Sequence, residues 1–253
     1  MKINNIPQDQ FFHAISSAQI RYEVGPFVVQ LQSDLRSLSE LFYDLYGNHS
    51  IARDEPIADF HLRLQRSRGL RRWYRPQVQF ITDGQRPFVP FPADTAFPLM
   101  EWGLNWCIAM RAHQYLMFHA AVVEKNNKAM ILPATPGTGK STLCAALIHR
   151  GWRLLSDEFG LVDPGSTLLL PLPRCIPLKN ESIDIIRDYC PNAIIGPTFP
   201  KTRKGDVAHL QPPAESIERA REPAPASYLV FPRYDPSAKA ELQPLPKARA
   251  FIK

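Results

Sequence analysis

Residues 134–141 read Ala-Thr-Pro-Gly-Thr-Gly-Lys-Ser, the phosphate-loop pattern G-x-x-x-x-G-K-[ST] with Ala134 in place of the first glycine. In such a loop successive backbone N–H groups point at phosphate oxygens, aided by the positive end of the helix that follows. Gly137 and Gly139 let the backbone approach without a Cβ in the way. Lys140 is placed to reach the β- and γ-phosphates, and the Ser141 hydroxyl to ligate Mg²⁺. The candidate ATP-binding residues are Ala134, Thr135, Pro136, Gly137, Thr138, Gly139, Lys140, Ser141 and Thr142. The first glycine relieves crowding where a strand enters the loop, so alanine is tolerated there if its φ is negative.

Sixteen residues past Ser141, after the apolar run RLLS, stand Asp157 and Glu158. A phosphate loop commonly draws an acid from the end of a neighbouring strand to its magnesium, and a second acid can take the proton of an attacking hydroxyl. The short spacing leaves room for one helix between loop and acids, which implies a compact site. Residue types alone leave open which acid is base and which supports the metal. His119, on the strand before the loop, reads by itself as a buried structural histidine.

The surrounding segments have the order this chemistry requires. YLMFHAAVV and AMILPA are two apolar runs separated by EKNNK, a strand-turn-strand signal. KSTLCAALIHRG follows as an amphipathic helix closed by Gly151, and WRLLSDEFGLVD as an apolar strand ending in the acids. Further on, TLLLPLPR and GDVAHLQ read as strands, SYLVF as a short strand and NESIDIIRDYC as a helix. Earlier in the chain, PFVVQLQ and IADFHLRLQ read as strands. SDLRSLSELFYDLYG reads as a helix capped by Ser33 or Asp34 and ended by Gly47. Proline-rich residues 84–98 lead into a helix at ADTAFPLMEWGLNWCIAMRAHQ, near which the domain boundary is expected. Residues 1–112 are accordingly expected to form a small α+β domain and residues 113–253 the catalytic domain.

Composition sets the outer limits. With 45% hydrophobic and 21% charged residues over 253 positions, the chain is an ordinary folded protein. No run approaches a membrane span, and the start lacks a signal peptide, so a cytoplasmic protein is expected. Cys107, Cys144, Cys175 and Cys190 are widely spaced, with no zinc-like cluster, and read as reduced thiols. The net charge of +6 is concentrated at Arg63, Arg66, Arg68, Arg71, Arg72 and Arg75, around Trp73 and Tyr74. No nucleic-acid-binding motif accompanies them, so they read as a solvated strand pair with its turn at Gly69 rather than a nucleic-acid surface.

Residues 118–163 resemble the catalytic core of the bacterial HPr serine kinase/phosphorylase family. The resemblance rests on His119 before the loop, the Walker A segment Ala134 to Ser141, the pair Arg150 and Gly151, and the acids Asp157 and Glu158. It implies an α/β fold (α+β overall), a phosphate-loop kinase core of the HPr kinase/phosphoenolpyruvate-carboxykinase-like type preceded by a small α+β domain. It further implies ATP and Mg²⁺, with Asp157 as general base assisted by His119. Ser141, Glu158 and Glu181 are the implied metal-site residues, Glu181 because Pro173 stands where the family's further glutamate would be; Arg174 retains an arginine beside it. Lys179 is a candidate phosphate contact. The segments KNESID, KGDVAHLQPP and FPRY resemble more closely the HprK-related kinase A group. Relatives continue past the helix start in LPKARAFIK, so the catalytic domain is expected to be truncated at its carboxyl end.

The expected function is phosphoryl transfer from ATP to a serine or threonine hydroxyl of a protein or peptide. A homo-oligomer is compatible with the sequence. A small-molecule kinase on the same scaffold and a non-catalytic ATP-sensing binding module are the alternatives.

Overall fold

Alternating apolar residues on PFVVQLQS and FHLRLQR build two neighbouring strands of a five-stranded sheet, each burying one face. The structure, a computed structural model, describes residues 1–52, 57–135 and 137–252, without the side chains of residues 251 and 252. The chain is a mixed α/β protein with seven α-helices and three sheets among the described residues.

The first sheet has the order β1 (Ile20–Val24), β2 (Phe27–Ser33), β3 (Phe60–Arg66), β4 (Gln77–Thr82) and β5 (Phe91–Pro92). Only β2 and β3 run parallel, joined through α2 (Arg36–Tyr46). With α1 (Gln8–Ser16) and α3 (Ala96–Arg111), α2 covers this sheet over a core that includes Phe11, Phe42, Leu62, Phe80 and Leu104. Close packing sets α3 on the sheet, since a Cβ at Gly103 would lie 2.1 Å from the Phe80 ring. The same core takes in Leu161, Leu172 and Cys175 from the later half of the chain.

One local expectation for α2, its cap, is corrected. Its N-cap is Leu35, without a side-chain cap, because Ser33 Oγ accepts the Leu35 N–H and Asp34 Oδ1 accepts the Arg66 N–H. Gly47 ends the helix as expected, as its C-cap, with the right-handed φ of −53°. The arginine run lies on β3, a short 3₁₀ segment at Gly69–Arg72 and the approach to β4, with Trp73 and Tyr74 exposed.

The second sheet begins with the hairpin of β6 (Leu116–Lys125) and β7 (Lys128–Pro133). Asn126 and Asn127 both take positive φ in its two-residue turn, the conformation for which Asn is suited. β6 is long enough to pair with β9 (Phe159–Val162) through residues 116–119 and with β7 from Ala120 onward. β9 then pairs with β10 (Leu168–Leu170), β10 with β14 (Ala224–Leu229), and β14 runs parallel to β7. The five strands therefore close on themselves, around Ala120, Val122, Ala129, Ile131, Leu155, Leu169 and Ala224. The interior is tight: a Cβ at Gly160 would lie 2.9 Å from Val122 Cγ2. β8 (Arg153–Ser156) adds to the other edge of β6.

The third sheet has the order β11 (Ile176–Lys179), β13 (Gly205–Leu210), β12 (Phe199–Thr202). Helices α4 (Lys140–Ile148) and α5 (Glu181–Tyr189) pack between it and the closed sheet, around Cys144, Ala145, Ile148, Leu178, Ile183 and Ile186. α4 is not the amphipathic helix expected: Cys144, Ala145 and Ile148 are buried while of its two leucines Leu143 is exposed and Leu147 only half-buried. The short helices α6 (Ala214–Glu218) and α7 (Lys247–Ile252) complete the described chain. No helix among the described residues is long and apolar enough to cross a membrane.

Candidate active site

β7 and β8 both run antiparallel to β6, one on each side of it, so their carboxyl ends emerge at the same edge. Pro133 ends opposite Ala120 and Ser156 opposite Val122. The segment after β7 is the glycine loop and the segment after β8 is Asp157-Glu158; His119 precedes Ala120 on the strand between them. This register is why residues distant in sequence share one place. The expected single strand ending in acids is instead two strands, β8 and β9, with the acids in the bend joining them.

In the loop Gly137 and Gly139 have φ +87° and +85°, left-handed values that glycine adopts without strain. A Cβ built on Gly137 would meet nothing within 4 Å. Thr138 N–H and its hydroxyl both donate to Thr135 O, at 3.4 and 2.8 Å. Ala134 is not among the described residues with positive φ, which meets the condition for its replacing glycine. Pro136 lies outside the described residues. α4 begins directly at Lys140, with Gly139 as its N-cap, so its first-turn N–H groups face the loop.

Ser141 Oγ donates to Asp157 Oδ2 at 2.9 Å. Lys140 Nζ donates to the Asp157 carbonyl oxygen and lies 3.9 Å from Oδ1 of the same residue. Asp157 is only 6% exposed, and its Oδ1 has no hydrogen-bond partner. Burial pushes its carboxyl up to about 6, against the opposing pull of Lys140 and the Ser141 hydroxyl. Glu158 is more open, with Oε1 3.8 Å from His119 Nδ1. The His119 side chain is 54% exposed, so it is not the buried structural histidine that residue type alone suggested. Its near acid is Glu158 rather than Asp157.

Three other expected residues are placed as follows. Lys179 ends β11 on the wall of the same cavity as the acids. Its ammonium is pushed below the usual lysine range by burial and then by the neighbouring Lys204. Glu181 is exposed at the start of α5 and is not part of that wall, so the structure does not gather it with Ser141 and Glu158. Arg150 follows α4 at its far end, donating to Tyr189 Oη at 2.6 Å, with Gly151 at φ +78° beyond it. That pair fastens α4 to α5 rather than facing the acids.

Asp157 and Glu158 open into a cavity of about 690 Å³ between α3 and the third sheet. Phe91, Trp102 and Trp106 form its aromatic side, and Lys179, Lys201 and Lys204 part of its opposite side. Arg174 lies in its wall, where Nη2 donates to Glu101 Oε2 at 2.5 Å and Nη1 to Asn105 Oδ1 at 2.6 Å. Tyr46 Oη donates to the other Glu101 oxygen. Glu101 and Asn105 escaped sequence reasoning; a lone acid and amide on a helix rich in tryptophan and leucine was the available signal.

The segment has features that a nucleotide phosphate can use: left-handed glycines, open space at Gly137 and a helix start at Lys140. The Ser141 hydroxyl and Asp157 carboxylate form an oxygen pair of the hard type that Mg²⁺ takes, with phosphate and water completing such a shell. An all-protein cage is a different matter: no group of three or more His, Cys, Asp or Glu side chains suited to a metal occurs among the described residues. Comparisons with protein-family models, curated proteins and solved structures find no match to this chain.

Proposed function

We propose that this chain is a phosphate-loop kinase of the HPr-kinase-like type, transferring phosphoryl from ATP, with Mg²⁺, to a serine or threonine hydroxyl of a protein or peptide. The observation that carries the reading is the Asp157 carboxylate, bonded through Oδ2 to the loop serine while Oδ1 is unpartnered and the residue lines the cavity. It stands between a phosphate cradle and a space an acceptor can fill.

Bound ATP and Mg²⁺ supply the electrophilic γ-phosphoryl group. The loop amides and Lys140 hold its phosphates, and Ser141 holds the cation. Asp157 takes the proton of the acceptor hydroxyl as that oxygen bonds to phosphorus and ADP leaves. A carboxyl pushed up to about 6 suits this task near neutral pH, since it is ionised yet basic enough to accept a proton. The cavity excludes part of the solvent and orients the acceptor.

The Ser141–Asp157 bond also favours a second assignment of roles. In many phosphate-loop enzymes the loop hydroxyl and a strand-end aspartate share the magnesium. Asp157 would then support the cation, and Glu158 with His119 would receive the proton. Incubation with γ-labelled ATP, Mg²⁺ and a lysate of the source cells, with Asp157→Asn and Glu158→Gln alongside, tests both. Labelled protein that disappears in Asp157→Asn while Mn²⁺ affinity survives supports Asp157 as base. Loss of Mn²⁺ affinity in that variant, with proton transfer lost in Glu158→Gln, supports the exchange. Label on small molecules alone would transfer the reading to a small-molecule kinase, for which a cavity of this volume is also the right size. ATP binding without any labelled product would make it a sensing module.

A further inference from the structure

The cavity has an electrostatic imbalance that catalysis does not use. Arg174 is neutralised by Glu101, Asp157 faces Lys140, and Glu158, the third carboxylate of the lining, has His119 as its near neighbour, so the cations of the wall still outnumber its acids. Lys179, Lys201, Arg203 and Lys204 also line the cavity, and none of these four forms an ion pair among the described residues. Lys201, Arg203 and Lys204 belong to the tip of the β12–β13 hairpin. The tip has a defined shape: Lys201 takes φ +56° and donates its N–H to Asp206 Oδ1 at 2.9 Å, while Thr202 Oγ1 donates to Gly205 O at 2.6 Å. Its Arg203 guanidinium lies 5.1 Å from the centre of the Phe91 ring, across the cavity from its own sheet. The hairpin thus brings Arg203 onto the aromatic lining.

Three lining residues also carry a buried polar atom without a hydrogen-bond partner: Asp157 Oδ1, Arg174 Nε and His209 Nδ1. Orphaned polar atoms are rare in a folded interior, and three of the six found among the described residues belong to residues of this wall. Burial and Lys204 together depress the Lys179 ammonium, against the opposing pull of Glu158 and Asp157.

Resting on the kinase reading above, we infer that the acceptor is an acidic peptide segment. Its serine or threonine hydroxyl meets Asp157, neighbouring carboxylates lie along Lys179, Lys204 and the hairpin tip, and an apolar neighbour packs on Trp102 and Trp106. The cations run along the cavity from Lys179 at the end of β11 to Lys201, Arg203 and Lys204 at the hairpin tip, all four exposed. Successive residues of an extended chain advance by about 3.3–3.6 Å, so several carboxylates can follow such a row. A single small anion calls instead for donors converging on one point.

The test is a binding measurement on the full chain without nucleotide. Two fluorescein-labelled peptides centred on serine, one flanked by glutamate and one by glutamine, are titrated by fluorescence anisotropy. The glutamate peptide is expected to bind about tenfold more tightly, with the advantage shrinking as salt is raised. In the variant Lys201→Gln/Arg203→Gln/Lys204→Gln, whose changes lie on an exposed tip and whose melting temperature verifies the fold, that preference is expected to vanish. Equal binding of the two peptides, or a preference that survives in the variant, overturns the inference. Displacement of the acidic peptide by 3-phosphoglycerate at lower concentration than by unlabelled peptide overturns it in favour of a small anion. ATP binding, followed separately with a fluorescent analogue, reports on the kinase reading alone, so the two can fail independently.

Discussion

Ser141 Oγ donates to one oxygen of Asp157 at 2.9 Å, and the other oxygen of that carboxylate, 3.9 Å from Lys140 Nζ, accepts no hydrogen bond. A buried carboxylate satisfied on one side only is a strained arrangement for a fold and a useful one for proton transfer. The two consequences can be measured separately.

For activity, phosphoryl transfer should rise with pH through about 6, the value to which burial pushes the Asp157 carboxyl. Asp157→Asn should lower kcat by roughly 10²–10⁴ and remove that limb of the profile. For stability the sign is opposite. The folded state binds a proton at Asp157 more tightly than the unfolded chain does, so this residue costs stability as pH rises from about 4 to 6. Asp157→Asn should therefore be more resistant to urea than the native protein at pH 8, by roughly 1–3 kcal/mol, and the difference should close near pH 4. A variant that is inactive and also less stable at pH 8 would show that the carboxylate is structural.

The Glu101–Arg174 pair joins α3 to the segment before β11 and is buried on both sides. Removing one partner leaves the other's charge uncompensated, so Arg174→Met should destabilise the protein by about 3–5 kcal/mol. The double variant Glu101→Leu/Arg174→Met should recover much of that loss, because no buried charge remains. Chemical denaturation of the native protein, Glu101→Leu, Arg174→Met and the double variant completes the cycle; a double variant as weak as the sum of the two single variants would mean the pair acts through Tyr46 and Asn105 rather than through charge.

His49 and His209 are both buried, and burial lowers each to about 4. The unfolded chain binds protons at these positions between pH 6.5 and 4 while the folded one does not. Their stabilising contribution is therefore complete above about pH 6.5 and lost as pH falls through that window. Two histidines outweigh the single opposing aspartate, so the urea midpoint should fall steadily from pH 6.5 to 4.5. Proton NMR should find two imidazoles that do not titrate in the folded protein above pH 5. Ordinary titration of all seven histidines would overturn the prediction.

Legibility in the sequence followed how local the governing physics is. The Asn126-Asn127 turn, the strand-loop-helix order around Gly137 and Gly139 and the alternating pattern of β3 depend on neighbours a few residues away, and all three are in the structure. The meeting of loop and acids was expected from spacing, but its cause, two strands antiparallel to one between them, is a pairing decision taken across the whole sheet. The partners of Arg174 lie on α3, about seventy positions earlier, and no periodicity announces them. The closure of the second sheet through β14 is equally remote from any local pattern. The helix expectations failed where a side chain had a better use: Ser33 and Asp34 bond other backbone groups and cap nothing. Glu181, the metal-site residue that the resemblance implies in place of Pro173, is carried to the surface by α5, while Lys179, two residues earlier, lines the same cavity as the acids.

The loop itself distinguishes a phosphate cradle from an ordinary turn. Gly137 and Gly139 share a left-handed backbone, so alanine at either should cost a similar amount, roughly 1–2 kcal/mol. Their surroundings differ. A methyl on Gly139 would sit 3.4 Å from Tyr234 Cβ, an ordinary contact, whereas one on Gly137 would project into open space. If phosphates occupy that space, Gly137→Ala should weaken binding of an ATP analogue by about tenfold or more, beyond what its melting temperature alone accounts for. Ala134→Gly changes a position without left-handed backbone and should leave affinity within about twofold, a difference of a few tenths of a kcal/mol. Calorimetric titration of the three variants, each paired with a thermal melt, decides the matter. Unchanged affinity in Gly137→Ala would mean that this loop is only a turn before α4, and a large loss in Ala134→Gly would mean that the phosphates sit against a different part of it.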